Sequence, residues 1–474
     1  MNNDNEPTFF WFDYETWGVN PAIDRPCQFA GVRTDMDMNI IGEPLVIYCQ
    51  PQNDYLPSPE ACLITGITPQ KAMSEGLPEH EFIAKIHAEM AKPNTCSLGY
   101  NSIRFDDEVT RYTLYRNFYD PYAWSWQNGN SRWDLLDVMR TCYALRPEGI
   151  NWPVDEDGIP SFKLERLSVE NGIEHTNAHD AMADVHATIE LAKKLKQSQP
   201  KLFNYLLSIR HKRKLNELID IVNLTPLVHI SGMFGSECSN TSWIVPMAWH
   251  PDNKNAVIAV NLAMDPEPLI SLNAEQLHQR LYTKRADLAP DELPVPVKLI
   301  HTNKCPVLAP AKTLTADDAE RLGVDRQACL NNLALIKKHP EIREKLLELY
   351  AIEREFDDSG NVDTQLYSGF FSHADKSTMD IIRESSPEDL VNFELNVADK
   401  RIKPLLFRYR ARNFPWTLTE QEQRHWHAHR QDYFDANLQD YMLNFENVAL
   451  DNQDDEKKTL ILKSLYQYVE KIAL

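Results

Sequence analysis

Phe10-Trp11-Phe12-Asp13-Tyr14-Glu15-Thr16 is an apolar run that ends in two carboxylates one residue apart. On a β-strand, residues i and i+2 point to the same face. Asp13 and Glu15 therefore project together from the end of a buried strand. Two like charges held so close are costly unless a cation or a shared proton offsets them. Such a pair is a cradle for Mg²⁺, which favours oxygen ligands. Alone, it also reads as an acidic strand end turning into a loop.

Two distant segments bear on the choice. In Asn101-Ser102-Ile103-Arg104-Phe105-Asp106 a third carboxylate stands where a short apolar segment meets a helix. Asp106, Asp107 and Glu108 also suit a helix N-terminus through the macrodipole. In His179-Asp180-Ala181-Met182-Ala183-Asp184 the outer pair is five residues apart, about 500° of helical rotation, and cannot share one face of a regular helix. His179 is expected in a lead-in loop and Asp184 one turn inside the helix, from where both side chains could converge.

The chain reads as two or three domains, because 474 residues exceed one ordinary core. Residues 8–195 read as α/β. Strands are expected over 8–13, 27–34 and 44–49, the three forming a meander, with a shorter strand near 96–100. Helices are expected over 78–91, 106–118, 133–144, from about 161 to Asn171-Gly172, and 178–196. Residues 200–222 read as a helical bridge. Leu224–Met233, Thr241–His250, Ala256–Leu262 and Val295–Val307 are rich in β-branched residues, and Asn253-Lys254-Asn255 reads as a hairpin turn. Several short strands in sequence suggest a small barrel, with helices in Glu275–Ala286 and Ala316–Leu349 around it. Phe356–Asn361 reads as a linker and 355–474 as mainly helical. The expected boundaries are 8–195, 200–353 and 356–474.

The ordered set Asp-x-Glu, Asn-x-x-x-Phe-Asp and His-x-x-x-x-Asp resembles the proofreading-type 3′→5′ exonucleases that carry three Asp, one Glu and one His. Arg104–Arg111, Asp120–Trp126, Ala144–Trp152, Val228–Gly235 and Tyr409–Pro415 look like bacterial exonuclease I, and the resemblance spans the chain. It implies a ribonuclease H-like exonuclease domain with a mixed central sheet flanked by helices, then an SH3-like β-barrel domain and a helical C-terminal domain. It implies degradation of single-stranded DNA from the 3′ end to 5′-mononucleotides, in DNA repair and recombination. The C-terminal tail of single-stranded-DNA-binding protein is the partner it implies.

Phosphodiester hydrolysis needs an activated water and a neutralised leaving oxygen, both of which a pair of divalent ions can supply. With the resemblance in place, Asp13, Glu15 and Asp184 are the expected ligands of one Mg²⁺, with Asp13 bridging to a second held by Asp106. Mn²⁺ is the expected substitute. His179 is the expected general base, since an ordinary imidazole pKa near 6.5 suits proton uptake at neutral pH. His175 is a rival that lacks the four-residue gap before an Asp. Asp134 and Asp137 read as structural. Tyr119, Tyr122, Trp124 and Trp126 form an aromatic cluster, either core beneath a loop or a stacking surface for bases. The resemblance extends substrate contact to Glu15, Arg111, Tyr122, Trp126 and Arg140, and to Lys163 after Pro-Ser-Phe. Lys163 stands where the family is expected to carry Arg, and a point charge replaces a bidentate fork.

The net charge of −21 looks wrong for a DNA enzyme, but total charge speaks to solubility rather than to a site. Basic residues cluster in Arg210–Lys214 and from Lys400 to Arg412, each run either a solvated helix face or part of a track for DNA. Eight cysteines without a CxxC pair argue against a zinc ribbon or a disulfide framework. No signal peptide or membrane span is visible, so a cytoplasmic setting is expected, and the chain is separately expected to act as a monomer. An RNA-directed exonuclease and a non-catalytic single-stranded-DNA-binding module are the alternatives.

Overall fold

The computed structural model describes residues 6–175, 180–352, 360–393 and 396–473. The chain forms two compact units. The first joins Met1–Ser131, His175–Ile189 and Asp357–Leu474; the second joins Arg132–Glu174 and Glu190–Phe356.

In the first unit, strands β1 (Thr8–Thr16), β2 (Pro26–Thr34), β3 (Leu45–Tyr48) and β4 (Thr95–Gly99) run in the order β3-β2-β1-β4. β1 pairs antiparallel with β2, setting Asp13 opposite Ala30 and Glu15 opposite Gln28. It pairs parallel with β4, setting Trp11 opposite Leu98. β2 and β3 are antiparallel, so the expected meander is present. β1 runs to Thr16, past the expected end at residue 13, which keeps Glu15 inside the strand. Phe10, Phe12 and Tyr14 pack on one side with Phe29, Phe82 and Trp124. Strand alternation places Phe9, Trp11, Asp13 and Glu15 on the other side. There Trp11 Nε1 donates to Thr34 Oγ1 at 2.9 Å.

Two short helices, Pro59–Thr65 and Pro69–Glu75, were not expected. Each opens with proline after a capping hydroxyl, Ser58 or Thr68, which accepts a backbone N–H from the first turn. That is a legible start signal. They pack under the last two helices, Glu420–Asp451 and Glu456–Ala473: Trp17, Tyr55 and Cys62 share one core with Phe445, Leu465 and Val469. A second core joins Tyr115 and Phe118 to Leu366, Ile382 and Leu405.

The chain leaves the first unit through β5 (Ser131–Asp134), a strand where a helix was expected to begin at 133. Asp134 ends it and caps the helix Leu135–Leu145, its carboxylate accepting from Leu136 N at 2.9 Å. The second unit carries an antiparallel sheet ordered β10-β6-β7-β8-β9, built from β6 (Leu227–Ile230), β7 (Thr241–Trp249), β8 (Ala256–Asn261), β9 (Val297–His301) and β10 (Val307–Pro310). The expected single strand over 295–307 is therefore two strands. Lys304 N donates to His301 O in the turn between them, where Cys305 adopts a positive φ. The bridge over 200–222 resolves into the helices Pro200–Ile209 and Lys212–Asn216. Among the described residues, no helix is long and apolar enough to cross a membrane.

Candidate active site

The open end of β1 gathers the acidic residues. One carboxylate oxygen from each of Asp13, Glu15 and Asp184 lies within 4.8 Å of the other two. Glu15 and Asp13 stand two residues apart on one strand face. Asp184 comes from the first turn of the helix Ala181–Ser198, which starts after the lead-in expected from the sequence.

Asp106 is brought to the same strand by local chemistry. Gly99 ends β4 where a Cβ would meet Phe12 O at 2.6 Å, so only glycine permits the backbones this close. Asn101 then takes a positive φ of 63°, a conformation that Asn tolerates better than most residues, and turns the chain. The helix Asp106–Arg116 starts there, and Asp106 Oδ1 accepts from the backbone N–H of Tyr14 at 3.2 Å. The residue between the two strand carboxylates is thus tied directly to the third.

Burial and crowding set the electrostatics. Desolvation pushes the Asp13 carboxyl well above its ordinary range, and Asp106, Glu15 and Asp184 push it further. Desolvation, then Asp184 and Asp106, push Glu15 up to about 9. Burial and mutual repulsion that disfavour the charged form of these acids are what a bound cation would offset. The donors are all carboxylate oxygens, as hard divalent cations such as Mg²⁺ and Mn²⁺ prefer. The donor set therefore fits a divalent metal site.

His179 lies outside the described residues. His175, set aside on spacing, contacts the cluster: its Nε2 and Asp184 Oδ1 are 2.5 Å apart, and its Nδ1 is buried without a hydrogen-bond partner among the described residues. It lies outside the helix, and the gap before an Asp by which it was set aside does not bear on this contact.

The expected substrate residues are placed as follows. In the first unit Arg111 is buried, paired with Glu108 at 2.7 Å, and its guanidinium lies 5.5 Å from the centre of the Tyr122 ring. Tyr122 is half-buried, Trp124 is core at 1% exposure, and Trp126 is 64% exposed. The aromatic cluster thus divides between the two readings. In the second unit, Arg140 pairs with Asp137 at 2.8 Å, and Lys163 is an exposed residue just before the helix Leu164–Glu170. The basic run from Lys400 to Arg412 is corrected in part. The side chains of Arg401, Arg410 and Arg412 are buried and paired with Asp399, Glu422 and Asp54, because desolvated guanidinium groups require counter-charges. These three are not a solvated face or a track for DNA.

Carboxylates converging on the end of a central strand in a mixed sheet are the arrangement of a nuclease, and residues 10–192 match the Exonuclease family. This portion of the chain is an exonuclease domain, a hydrolase. Residues 210–352 match the Exonuclease I SH3-like domain and 360–472 the Exonuclease I C-terminal domain. Exodeoxyribonuclease I of Escherichia coli (strain K12) is 56% identical over 475 residues, covering 100% of both chains. The crystal structure of E. coli exonuclease I in complex with a dA16 oligonucleotide superposes with a TM-score of 0.97, covering 99% of this chain and 100% of that one at 56% identity. The zinc-ion-bound form of the E. coli exonuclease I–ssDNA complex gives 0.95 at 56% identity, with the same coverage. The chain belongs to the exonuclease I family.

Proposed function

We propose that this protein degrades single-stranded DNA from its 3′ end and releases 5′-mononucleotides. The observation that carries the reading is the convergence of Asp13, Glu15 and Asp184 oxygens within 4.8 Å. Asp13, Glu15 and Asp184 would hold one divalent ion, and Asp106 with Asp13 a second. Mg²⁺ is the natural occupant and Mn²⁺ a substitute. Bound divalent ions supply Lewis-acid polarisation of a phosphate and a lowered pKa for water.

The chain's own groups do the rest. The Tyr14 amide fixes Asp106, and the strand pleat fixes Asp13 beside Glu15. His179 takes the proton from the attacking water. Arg111, Tyr122 and Trp126 grip the strand by charge and stacking, and Arg140 and Lys163 contact phosphates. Catalysis of this kind needs no side-chain nucleophile. We place the functional domains at 8–195, 200–353 and 356–474. Action as a cytoplasmic monomer, and docking of the acidic tail of single-stranded-DNA-binding protein, complete the reading.

The test is digestion of oligonucleotides labelled at either end, with and without EDTA. Stepwise shortening from the 3′ end, mononucleotide product and loss in EDTA are expected. Activity unaffected by EDTA would refute the metal assignment. A DNA strand and an RNA strand of one sequence, run side by side, separate the deoxyribonuclease from the RNA-directed alternative.

A further inference from the structure

A second concentration of buried charge lies within the first unit, built from groups that the cleavage chemistry does not use. Arg25, Asp54, Asp363, Arg408, Arg412 and His429 line a cavity of about 50 Å³. One water needs about 10–15 Å³ of such space, so the cavity has room for about four.

Its wall is an ion network. Asp363 accepts from Arg25 Nη2 at 3.0 Å and lies 3.0 Å from Arg408 Nη1, and Arg412 contacts it as well. Asp54 pairs with Arg412 at 2.7 Å and lies 3.6 Å from His429 Nε2. Burial opposes ionisation of both acids, but Arg412 and Arg25 hold them well below the usual carboxylate range. Both carboxylates are therefore charged. Three guanidinium groups face two carboxylates, leaving one positive charge over before His429 is counted. Two further acids stand nearby but do not line the cavity: Glu79 pairs with Arg116 at 3.1 Å, and Asp24, which accepts from the Tyr55 hydroxyl and the Asn20 amide, offsets part of the surplus from outside the lining.

An independent observation points to a ligand. Arg25 is 6% exposed, and its Nε and Nη1 have no hydrogen-bond partner among the described residues. Two orphaned donors on a buried cation that lines a polar cavity are costly. An anion with several acceptor oxygens satisfies both the donors and the charge.

We propose that this cavity binds a small oxyanion of the inorganic phosphate class. The space holds the tetrahedral ion but not an attached nucleoside, so the source is the free ion rather than a nucleotide. The ion joins the segment before β2, which carries Arg25, to the C-terminal region, which carries Asp363, Arg408 and Arg412.

The test uses the full chain in EDTA, with ionic strength held by gluconate, which is too large for the cavity. Inorganic phosphate is titrated calorimetrically and against thermal unfolding. One saturable site at millimolar phosphate and a rising Tm are expected. Arg408→Gln removes the surplus charge and should weaken phosphate by about tenfold or more, while Arg408→Lys retains it. Unchanged affinity in Arg408→Gln, or no saturable binding to the wild type, overturns the proposal. So does 5′-dAMP binding that Arg408→Gln abolishes. Selenate soaked into wild-type crystals gives a readout that needs no variant. Anomalous density within hydrogen-bonding reach of Arg25 Nε supports the site, and its absence at saturating selenate overturns it.

Discussion

Glu15→Gln gives the sharpest reading of the acidic cluster. The Glu15 carboxyl is pushed from an ordinary 4.5 to about 9 by desolvation and then by Asp184 and Asp106. A folded-state pKa above the unfolded one means that folding takes up a proton. The group's stabilising contribution is thus complete below pH 4.5 and drains away as pH climbs toward 9. One such group removes at most on the order of 1 kcal/mol per pH unit, or on the order of 2–3 kcal/mol between pH 6 and pH 8. Urea denaturation in EDTA at several pH values measures this directly. The wild type should weaken steadily as pH rises, and Glu15→Gln should show a slope smaller by up to that amount. With saturating Mg²⁺, the carboxylates are ionised in the fold as well, so the wild-type slope from this group should vanish. An identical slope in the wild type and Glu15→Gln without metal would refute the electrostatic account of the cluster.

Other substitutions separate roles. Asp184→Ala should reduce cleavage to background while leaving retention of single-stranded DNA in a filter assay largely intact, and surviving cleavage counts against the ligand assignment. Trp126→Ala, at an exposed ring, should change stability by less than about 0.5 kcal/mol. The same change should weaken single-strand binding by about 1–3 kcal/mol if a base stacks there. Its neighbour Trp124→Ala should instead cost about 3–5 kcal/mol of stability, read by denaturation, because it empties a core site. Glu79→Ala should destabilise by about 3–5 kcal/mol, because it leaves the Arg116 guanidinium buried without its partner, and a shift under 1 kcal/mol would show that water reaches that pair. If the strand is enclosed during digestion, an excess competitor trap should not release partly shortened strands.

Local rules made part of this molecule legible. The period-2 geometry of β1 was enough to set Asp13 beside Glu15, and the β-branched segments after residue 224 announced a strand-rich region. Asp106 and Asp184 were legible through the order of motifs, whereas the amide of Tyr14 that anchors Asp106 was not, since it depends on the pairing of β1 with β4. The arginines near residue 410 were harder still. Arg412 and Asp54 are 358 residues apart, and no periodicity links them. A run of positive charge in sequence says nothing about whether distant acids will meet it. The contact of His175 with Asp184 was not legible either, because a motif gap that selects His179 carries no information on what else the chain brings to the same carboxylate.

The shared core of Cys62 with Ile461 and Leu465 has a consequence for biosynthesis. Ribosomes add about 5–20 residues per second, so Cys62 waits roughly 20–80 s for Ile461 to be made. During that interval the amino-terminal layer exposes apolar surface that no earlier segment covers. The nascent chain is therefore a natural client for chaperones, and a message truncated near its 3′ end should yield an aggregation-prone product rather than a smaller working enzyme.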